Sequence, residues 1–425
     1  MVIHHAVPNL LTANVGPLLP LEKQILDHQK EIEKWFIQQW SVLEAPFYCS
    51  VDLRNSGYKL APVDTNLFPA GFNNLNPDFL PLCINAVKSV ITRKCPNAKN
   101  VLLIPENHTR NLFYLENVAS LQDILNKAGY EVKIGSLIKE LTSSKMITLP
   151  SGRKLTLEPL TRSGNRIMVN EFSPCCIISN NDFSEVPSIL ENVEQIIMPP
   201  LRLGWAMRLK SEHFHHYQNV SYEFGRVFNI DPWLIAPLFR YCGEIDFMTR
   251  EGEDCLVKNA TTLLNAVKQK YQEYHITHQP FVVIKADSGT YGMSVMMVKD
   301  PEELRHLNRK QRTKMSVSKS GRTVSKAIVQ EGIYSFETWG EDKAVAEPVV
   351  YMIGEQVIGG FYRVHKDRRS DENLNTPGAN FESLAFAKPC NPCDVPDDCA
   401  NRFYSYGVIA RLALLAAARE LAEVS

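Results

Sequence analysis

The sequence predicts an N-terminal α/β part with a parallel sheet, followed by a C-terminal α+β part with antiparallel sheets. The first is indicated by a βαβ unit, in which a helix at 112–127 lies between two short apolar strands. Parallel strands need a crossover connection of this kind, usually a helix. The second is indicated by several apolar strands with short connections that follow residue 280. This change from alternating strands and helices to successive strands sets the expected domains at 1–245 and 246–425.

Periodicity and turn residues predict the other elements. A helical period covers 19–44, and a second helix covers 75–93 with Asn76 as its N-cap. Further strands fit CCIISNNDF and EQIIMPP in the first part, and PFVVIKA, GMSVMMV, KAIVQEGI, AEPVVYMIG and QVIGGFYRV in the second. The remaining helices are expected at 208–228, 256–274 and 405–423.

The composition is that of an ordinary globular protein without a strong bias toward nucleic acid or membranes. The 425 residues are 44% hydrophobic and 22% charged, and the formal net charge is −1. No apolar run reaches the length of about 18 residues that a membrane span needs. The N-terminal segment lacks a basic stretch followed by an apolar one, so we expect a cytoplasmic protein. The oligomeric state stays open, a homo-oligomer included.

The ten cysteines are scattered and are expected to stay reduced in the cytoplasm. Cys390 and Cys393 form the one C-x-x-C pair. A zinc ribbon needs a second pair at matching spacing, which this sequence lacks. The prolines and aspartates around the pair favour an irregular loop rather than a metal or redox site.

An apolar strand that ends on a lysine carries the most functional information. The stretch PFVVIKADSGTYGMSVMMVKD, residues 280–300, places Lys285 at the end of a strand and then turns polar and glycine-rich. Taken alone, such a lysine is more often explained by a packed stem with its ammonium in water. However, the glycines that follow permit positive φ, so that loop N–H groups can turn toward an anion. A cation beside such a loop predicts a phosphate site, with a sequence that differs from the P-loop.

Four motifs follow one another in the C-terminal part: DSGTYGMSV after Lys285, then VQEGI, VIGGFYRV and NLNTPGA. In this order they resemble the ATP-grasp ligases over about 250–425. Three segments of the N-terminal half restrict the resemblance to one family of these ligases. They are SVDLRNSGYKLAPVDTNLFPAGFNNL, IPENHTRNLFYLENV and MPPLRLGWAMRLKSEHFHHY. Together the motifs resemble the proteobacterial ATP-grasp-type glutamate–cysteine ligase family over nearly the whole chain.

The resemblance implies ATP-dependent ligation of the γ-carboxylate of L-glutamate to L-cysteine through an acyl phosphate, the first step of glutathione biosynthesis. The implied cofactors are ATP and Mg²⁺, and no nucleic acid or membrane partner is expected. Two alternatives stay open from the sequence: another ATP-grasp amino-acid ligase, and a nucleotide-binding regulatory protein that has lost turnover. No spacing states which amine is accepted, and the Glu-x-Asn strand that holds two ions in many ATP-grasp enzymes is not found after residue 375.

The resemblance also implies which residues bind the nucleotide. Lys285 is assigned to the α- and β-phosphates, and Arg363 helps to neutralise the phosphoryl oxygens. Lys258 is the candidate for a second phosphate-binding lysine, and an ordinary helix-surface lysine is the alternative. The residues assigned to a lid over the triphosphate and to adenine and ribose are Ser288, Gly289, Thr290, Tyr291, Gly292, Gln330, Glu331 and Ile333.

Metal and amino-acid ligands are harder to assign. Glu347 and Asn375 are the substitutes for the missing metal-binding strand. A guanidinium suits a carboxylate bidentately, and an aspartate suits an ammonium group. The substrate candidates are Arg54, Arg110 and Arg202 for carboxylates, Asp52 and Asp64 for ammonium groups, and Asn66 in a shaped loop. Surface salt bridges and turn residues are the alternatives.

Two other polar clusters are weaker signals. The basic run at 305–326 lacks the aromatic residues that stack on nucleic-acid bases, so a mobile loop near the nucleotide is the preferred interpretation. His213, His215 and His216 do not fall on one face of a helix, which argues against zinc.

Overall fold

The computed structural model of the chain describes residues 6–107, 110–183, 185–204, 207–288, 295–316, 324–387 and 400–424. It contains one mostly parallel sheet and separate antiparallel sheets, so the expected mixed α/β class is confirmed. The predicted lid residues Gly289, Thr290, Tyr291 and Gly292, and the pair Cys390 and Cys393, lie outside the described residues. Within the described ranges, no helix combines the length and apolarity that crossing a bilayer demands.

Most α-helices lie close to their predicted positions, but Arg309–Ser316 is helical where a mobile loop was preferred for the basic run 305–326. The described α-helices are α1 Pro20–Asp27, α2 Gln29–Trp40, α3 Leu80–Lys94, α4 Leu112–Lys127, α5 Lys210–Phe228, α6 Glu253–Glu273, α7 Arg309–Ser316 and α8 Phe403–Val424. The single helix expected over 19–44 is wrong, because the chain leaves helical geometry at His28, with φ −101° and ψ 14°. The His28 ring is hydrogen-bonded to the carbonyl of Gln24 at 2.8 Å, where α1 ends and α2 begins.

The strands include several that the sequence did not reveal, notably the first hairpin. In chain order they are β1 Tyr48–Asn55, β2 Leu60–Asn66, β3 Asn100–Pro105, β4 Glu131–Ser136, β5 Lys145–Thr148, β6 Lys154–Pro159, β7 Thr161–Ser163, β8 Arg166–Met168, β9 Cys176–Asn180, β10 Ile196–Met198, β11 Phe239–Cys242, β12 Val282–Ala286, β13 Val295–Val298, β14 Ala327–Glu331, β15 Thr338–Trp339, β16 Ala344–Ile353, β17 Gln356–His365 and β18 Asn380–Ser383.

The mostly parallel sheet has the order β10-β9-β3-β4-β6-β5. Its strands are parallel except for the β5–β6 pair. The βαβ unit is confirmed, since β3 pairs in parallel with β4 and α4 connects them. The central strands β3 and β9 are buried on both faces, which agrees with their largely apolar sequences. A separate hairpin, β7–β8, lies outside this sheet.

A second, antiparallel sheet joins the two ends of the chain. Its order is β18-β17-β16-β1-β2, and β15 pairs with β16. The helix α8, whose side chains are almost all buried from 403 to 421, packs on β1, β2 and β16. The hydrogen bonds between β1 and β16 connect the two expected domains, 1–245 and 246–425. The boundary between these domains therefore stays a prediction.

A third sheet, with the order β11-β14-β12-β13, is antiparallel throughout and packs against α6. It has its own apolar cluster, which includes Val282, Ile284, Ala327 and Val329. A cleft separates this sheet from the edge of the second sheet where β1, β2, β16 and β17 lie.

Candidate active site

The cleft between the second and third sheets is open to solvent and spans about 900 Å³, part of which is open solvent. One wall is formed by side chains of β1, β2, β16 and β17, and the other by side chains of β12, β13 and β14. The residues that line it are Asp52, Arg54, Val63, Asp64, Lys210, Val283, Lys285, Ala286, Ser288, Val295, Met297, Gln330, Glu331, Ile333, Glu347, Arg363, Asp371, Glu372, Asn373 and Asn375.

Lys285 lies near the end of β12 and donates to two uncharged oxygens. Its ammonium bonds to the carbonyl of Val63 at 2.8 Å and to Oε1 of Gln330 at 2.7 Å. Burial lowers the pKa of Lys285 to about 8, although Asp64 counteracts this. Gln330 is 1% exposed, and its Nε2 has no hydrogen-bond partner among the described residues. An unpaired buried donor costs free energy, so this amide is suited to a ligand acceptor.

Glu331 lies next to Gln330, but its carboxylate is held inside the protein. One oxygen accepts from Trp233 Nε1 at 3.1 Å, and the other accepts from Lys59 at 2.8 Å and from the backbone N–H of Leu238 at 2.9 Å. Lys59 is 1% exposed, and burial lowers its pKa to about 8. The Glu331 carboxylate thus fixes the end of β14, and the N–H of Glu331 donates to the carbonyl of Leu238 at 2.8 Å.

The opposite wall carries a buried network of four charges. Arg54 donates to Glu347 at 3.1 Å and to the carbonyl of Ile333 at 2.9 Å, and Arg363 donates to Asp52 at 2.8 Å and to Glu347. Burial works against the charged form of Glu347, but Arg363 and Arg54 keep its pKa below the usual value. The network ties β1, β16 and β17 together and is electrically balanced.

Asp64 and Lys210 form a second charged group at the mouth of the cleft. Lys210, the first residue of α5, contacts Asp64 Oδ1 at 2.9 Å. Burial opposes ionisation of Asp64, yet Lys210 and Lys285 lower its pKa to about 2. Asp64 is the register partner of Asp52 in the β1–β2 pair, so both carboxylates point to the same side of the sheet.

The start of α5 is fastened to the glycine-rich segment. The Asp287 carboxylate accepts from the backbone N–H and the hydroxyl of Ser211, each at 2.7 Å. The carbonyl of Asp287 accepts from the N–H of Lys210 at 2.8 Å. These bonds place Lys210 beside the residue that precedes Ser288, where the predicted phosphate loop begins.

The family was then established by comparison with known proteins. A family model described as glutamate-cysteine ligase matches residues 22–421. The chain belongs to this family. The resemblance seen in the sequence is therefore confirmed, and with it the enzyme class: a ligase that joins glutamate and cysteine in the first step of glutathione synthesis.

Solved structures agree with the family. A protein assigned as a gamma-glutamylcysteine synthetase from Methylobacillus flagellatus KT is 54% identical, with a TM-score of 0.88 over 99% of each chain. A glutathione synthetase like-effector from Globodera pallida is 10% identical over 86% of this chain and 80% of its own, with a TM-score of 0.34. That likeness is too low to carry an argument. Among curated proteins, none matches the chain.

The cleft brings together most of the residues predicted for this ligase. Lys285, Ser288, Gln330, Ile333 and Glu331 line it on the third-sheet side. The cleft is also lined by four residues that were predicted for catalysis, substrate binding or metal binding, namely Arg54, Arg363, Glu347 and Asn375.

Four predicted residues of the ligase lie elsewhere or at the margin. Lys258 is exposed on α6 and does not line the cleft, so the expected second phosphate lysine is not brought to Lys285. Arg110 is exposed before α4, and Arg202 lines a different, more open cavity next to His215 and His216. Asn66 is half-buried, and its side chain accepts from the N–H of Phe68 at 2.9 Å. Their roles stay predictions.

An acid-x-Asn pattern also occurs in the first hairpin. Whereas the Glu-x-Asn strand was expected after residue 375, Asp64-Thr65-Asn66 has this spacing. It forms the end of β2, and alternation along the strand puts both polar residues on one face. Lys210 was missed because a lysine at a helix start carries no distinctive pattern.

Proposed function

We propose that the cleft binds ATP in the manner of an ATP-grasp ligase and transfers its γ-phosphoryl group to the γ-carboxylate of glutamate. The observation that carries this proposal is Lys285. Among the described residues it forms no ion pair, and its two acceptors are neutral. Its position beside Ser288 and the unpaired Gln330 amide makes it available to a triphosphate. ATP use is itself implied by the family.

The apolar part of the cleft suits the base of the nucleotide. Val283, Met297 and Ile333 line it near Gln330. Ligand pockets commonly combine apolar walls with a few polar groups that fix orientation. We assign these side chains to the faces of adenine, Gln330 to its edge, and Lys285 to the phosphates.

Magnesium fits the acids of the first hairpin better than the residues predicted for it. Within the described ranges, no group of three or more His, Cys, Asp or Glu residues is arranged to hold a metal ion. Mg²⁺ in nucleotide sites needs one or two carboxylates, because phosphates and waters supply the rest. Asp52 and Asp64 meet that need, since among the described residues each is paired with a single cation, Arg363 and Lys210 respectively, and keeps oxygen lone pairs for a metal ion. Glu347 is already paired with two arginines, and Asn375 is exposed.

The reaction then follows from charge. A glutamate γ-carboxylate oxygen attacks the γ-phosphorus of ATP, ADP leaves, and γ-glutamyl phosphate forms. The cysteine amine attacks the activated carbonyl, loses a proton, and releases phosphate that keeps one carboxylate oxygen. Lys285 counters the charge of the phosphoryl oxygens, while Arg363 holds Asp52 in place. Bound Mg²⁺ supplies further neutralisation.

Isotope transfer tests the proposed intermediate. Glutamate labelled with ¹⁸O in its γ-carboxylate is incubated with the protein, ATP, Mg²⁺ and cysteine. We expect one labelled oxygen to appear in inorganic phosphate for each amide bond formed. Product formation with unlabelled phosphate, or release of AMP, would exclude the acyl phosphate.

A panel of amines tests the substrate assignment in the same assay. Phosphate release is compared for cysteine, serine, alanine and no amine. We expect cysteine to give the fastest release. Equal rates for all amines would place the chain among less selective amino-acid ligases.

A further inference from the structure

Two thiols touch at the junction of β11 and α6, away from the residues that line the cleft. Cys242 is the last residue of β11, and Cys255 is the third residue of α6. Their sulfur atoms are 3.7 Å apart. Cys242 is 1% exposed, whereas Cys255 is exposed to solvent. One sulfur is therefore accessible to a small reagent, and the other is buried directly beside it.

The backbone around this pair already holds the two cysteines close. Asp246 and Glu251 form an antiparallel bridge that folds the connecting segment back on itself. Gly252 has a φ of 77°, and a Cβ there would lie 2.1 Å from the carbonyl of Glu244. A disulfide has a sulfur–sulfur length of about 2.05 Å, so closing the gap requires an approach of about 1.7 Å. Side-chain rotation can supply movement of that size.

Asn259 orients both sulfurs. Its Nδ2 lies 3.0 Å from the sulfur of Cys242 and 3.5 Å from that of Cys255. Its Oδ1 accepts from Arg240 Nε at 2.7 Å, which fixes the direction of the amide. The same Nδ2 also lies 3.1 Å from the carbonyl of Tyr241, so its two hydrogens are shared among three acceptors. Asn259 therefore fixes the positions of the two sulfurs relative to β11.

We propose that Cys242 and Cys255 form a dithiol–disulfide couple that is oxidised by small-molecule disulfides of the cystine type. The Cys255 thiolate attacks one sulfur of the small disulfide, and one small thiolate leaves. Cys242 then loses its proton and attacks the sulfur of Cys255, and the second small thiol leaves. Two protein thiols and one small disulfide become one protein disulfide and two small thiols, so electrons and protons balance.

The order of attack follows from exposure. Cys255 meets solvent first and Cys242 is buried beside it, so Cys242 acts as the resolving thiol. Burial raises the pKa of Cys242 to about 12, which makes this second attack the slow step. The bond would fasten α6 to β11. Since β11 pairs with β14, with Phe239 opposite Gln330, it would stiffen the sheet that forms one wall of the cleft.

Peptide mapping tests the couple without any activity assay. The full-length protein is incubated with cystine, free thiols are alkylated, and the protein is digested with trypsin under non-reducing conditions. Trypsin separates the two cysteines into peptides 241–250 and 251–258. We expect these two peptides to be joined and to separate on reduction. A bond between Cys390 and Cys393 would not join them.

Single substitutions give the matched controls. In Cys242→Ser, Cys255 should retain a stable cysteinyl group, because no resolving thiol is present. In Cys255→Ser, Cys242 should remain a free thiol, because it is buried. If the unmodified protein instead keeps a cysteinyl group on peptide 251–258, or leaves both cysteines free for alkylation, the proposal is wrong. Each outcome is independent of whether the ligase reaction proceeds as proposed.

Discussion

The two walls of the cleft hold their cations in opposite ways. On the second-sheet wall, Arg54 and Arg363 are each paired with carboxylates, and the network is closed by Glu347. On the third-sheet wall, Lys285 bonds to a carbonyl and an amide oxygen. Ion-paired cations maintain architecture, since removing either partner leaves a buried charge. A cation bound to neutral acceptors can turn to a phosphate at little cost.

The largest expected effect comes from opening the charged network. Glu347→Gln leaves Arg54 and Arg363 without their shared counter-ion, and we expect it to lower the free energy of unfolding by about 3–5 kcal/mol. Urea unfolding measures this loss. The control is Glu355→Gln, since Glu355 pairs with Arg93 at the surface and should change stability by about 1 kcal/mol or less. Similar losses of unfolding free energy in both variants would contradict the distinction between the buried charge network and the surface ion pair.

Removing the cation of the opposite wall should affect catalysis rather than stability. We expect Lys285→Met to lower kcat/KM for ATP by about 10²–10³-fold, because it removes a donor to the phosphoryl oxygens. Lys258→Met is the matched control, because Lys258 is exposed and lies outside the cleft. A comparable loss for Lys258→Met would restore the role predicted for it from the sequence.

The proposed metal site is tested by comparing Mn²⁺ binding in variants of two acids of the same cleft, Asp64 and Asp371. Asp64→Asn should weaken Mn²⁺ binding in the presence of ADP by at least about tenfold, measured by electron paramagnetic resonance. Asp371→Asn should leave Mn²⁺ binding unchanged, since Asp371 lies outside the β1–β2 hairpin that carries the proposed ligands and is paired with Lys299 at 2.6 Å. Unchanged Mn²⁺ affinity in Asp64→Asn would contradict the proposed role of Asp64 and favour Glu347 and Asn375, the metal ligands predicted from the sequence.

The smallest expected effect is a pH dependence of nucleotide binding. Burial lowers the pKa of Lys285 to about 8, so its ammonium is fully charged below that pH and is lost above it. ATP affinity should therefore fall by up to about tenfold per pH unit above 8. In Lys285→Arg the fall should disappear, because a guanidinium stays protonated. An unchanged profile in that variant would show that another group titrates.

Local pattern was sufficient for the elements with strong periodicity and for placing Lys285 in the candidate site. Helix α4 has the bounds that its period predicted, and Lys285 was found because an apolar strand gives way to a glycine-rich loop. The break at His28 was not foreseen, because the helical period of apolar residues continues on both sides of it.

The proposed metal role of Asp52 and Asp64 could not be assigned from the sequence because the position of these acids depends on long-range pairing. β1 lies beside β16, which is nearly three hundred residues away in the chain. Only that pairing brings Asp52 and Asp64 opposite Lys285, and no local pattern records it. The same holds for the Glu331 carboxylate, whose partner Lys59 comes from the loop after β1.

The pairing of β1 with β16 also has a consequence for synthesis. Asp52 and Lys285 are roughly 230 residues apart in the sequence, which at bacterial-like translation rates corresponds to a delay of roughly 10–50 s. A nascent chain therefore exposes its acids well before the lysine emerges from the ribosome. Because β16 and β17 also line the cleft, the cleft can be complete only after these strands have been synthesised.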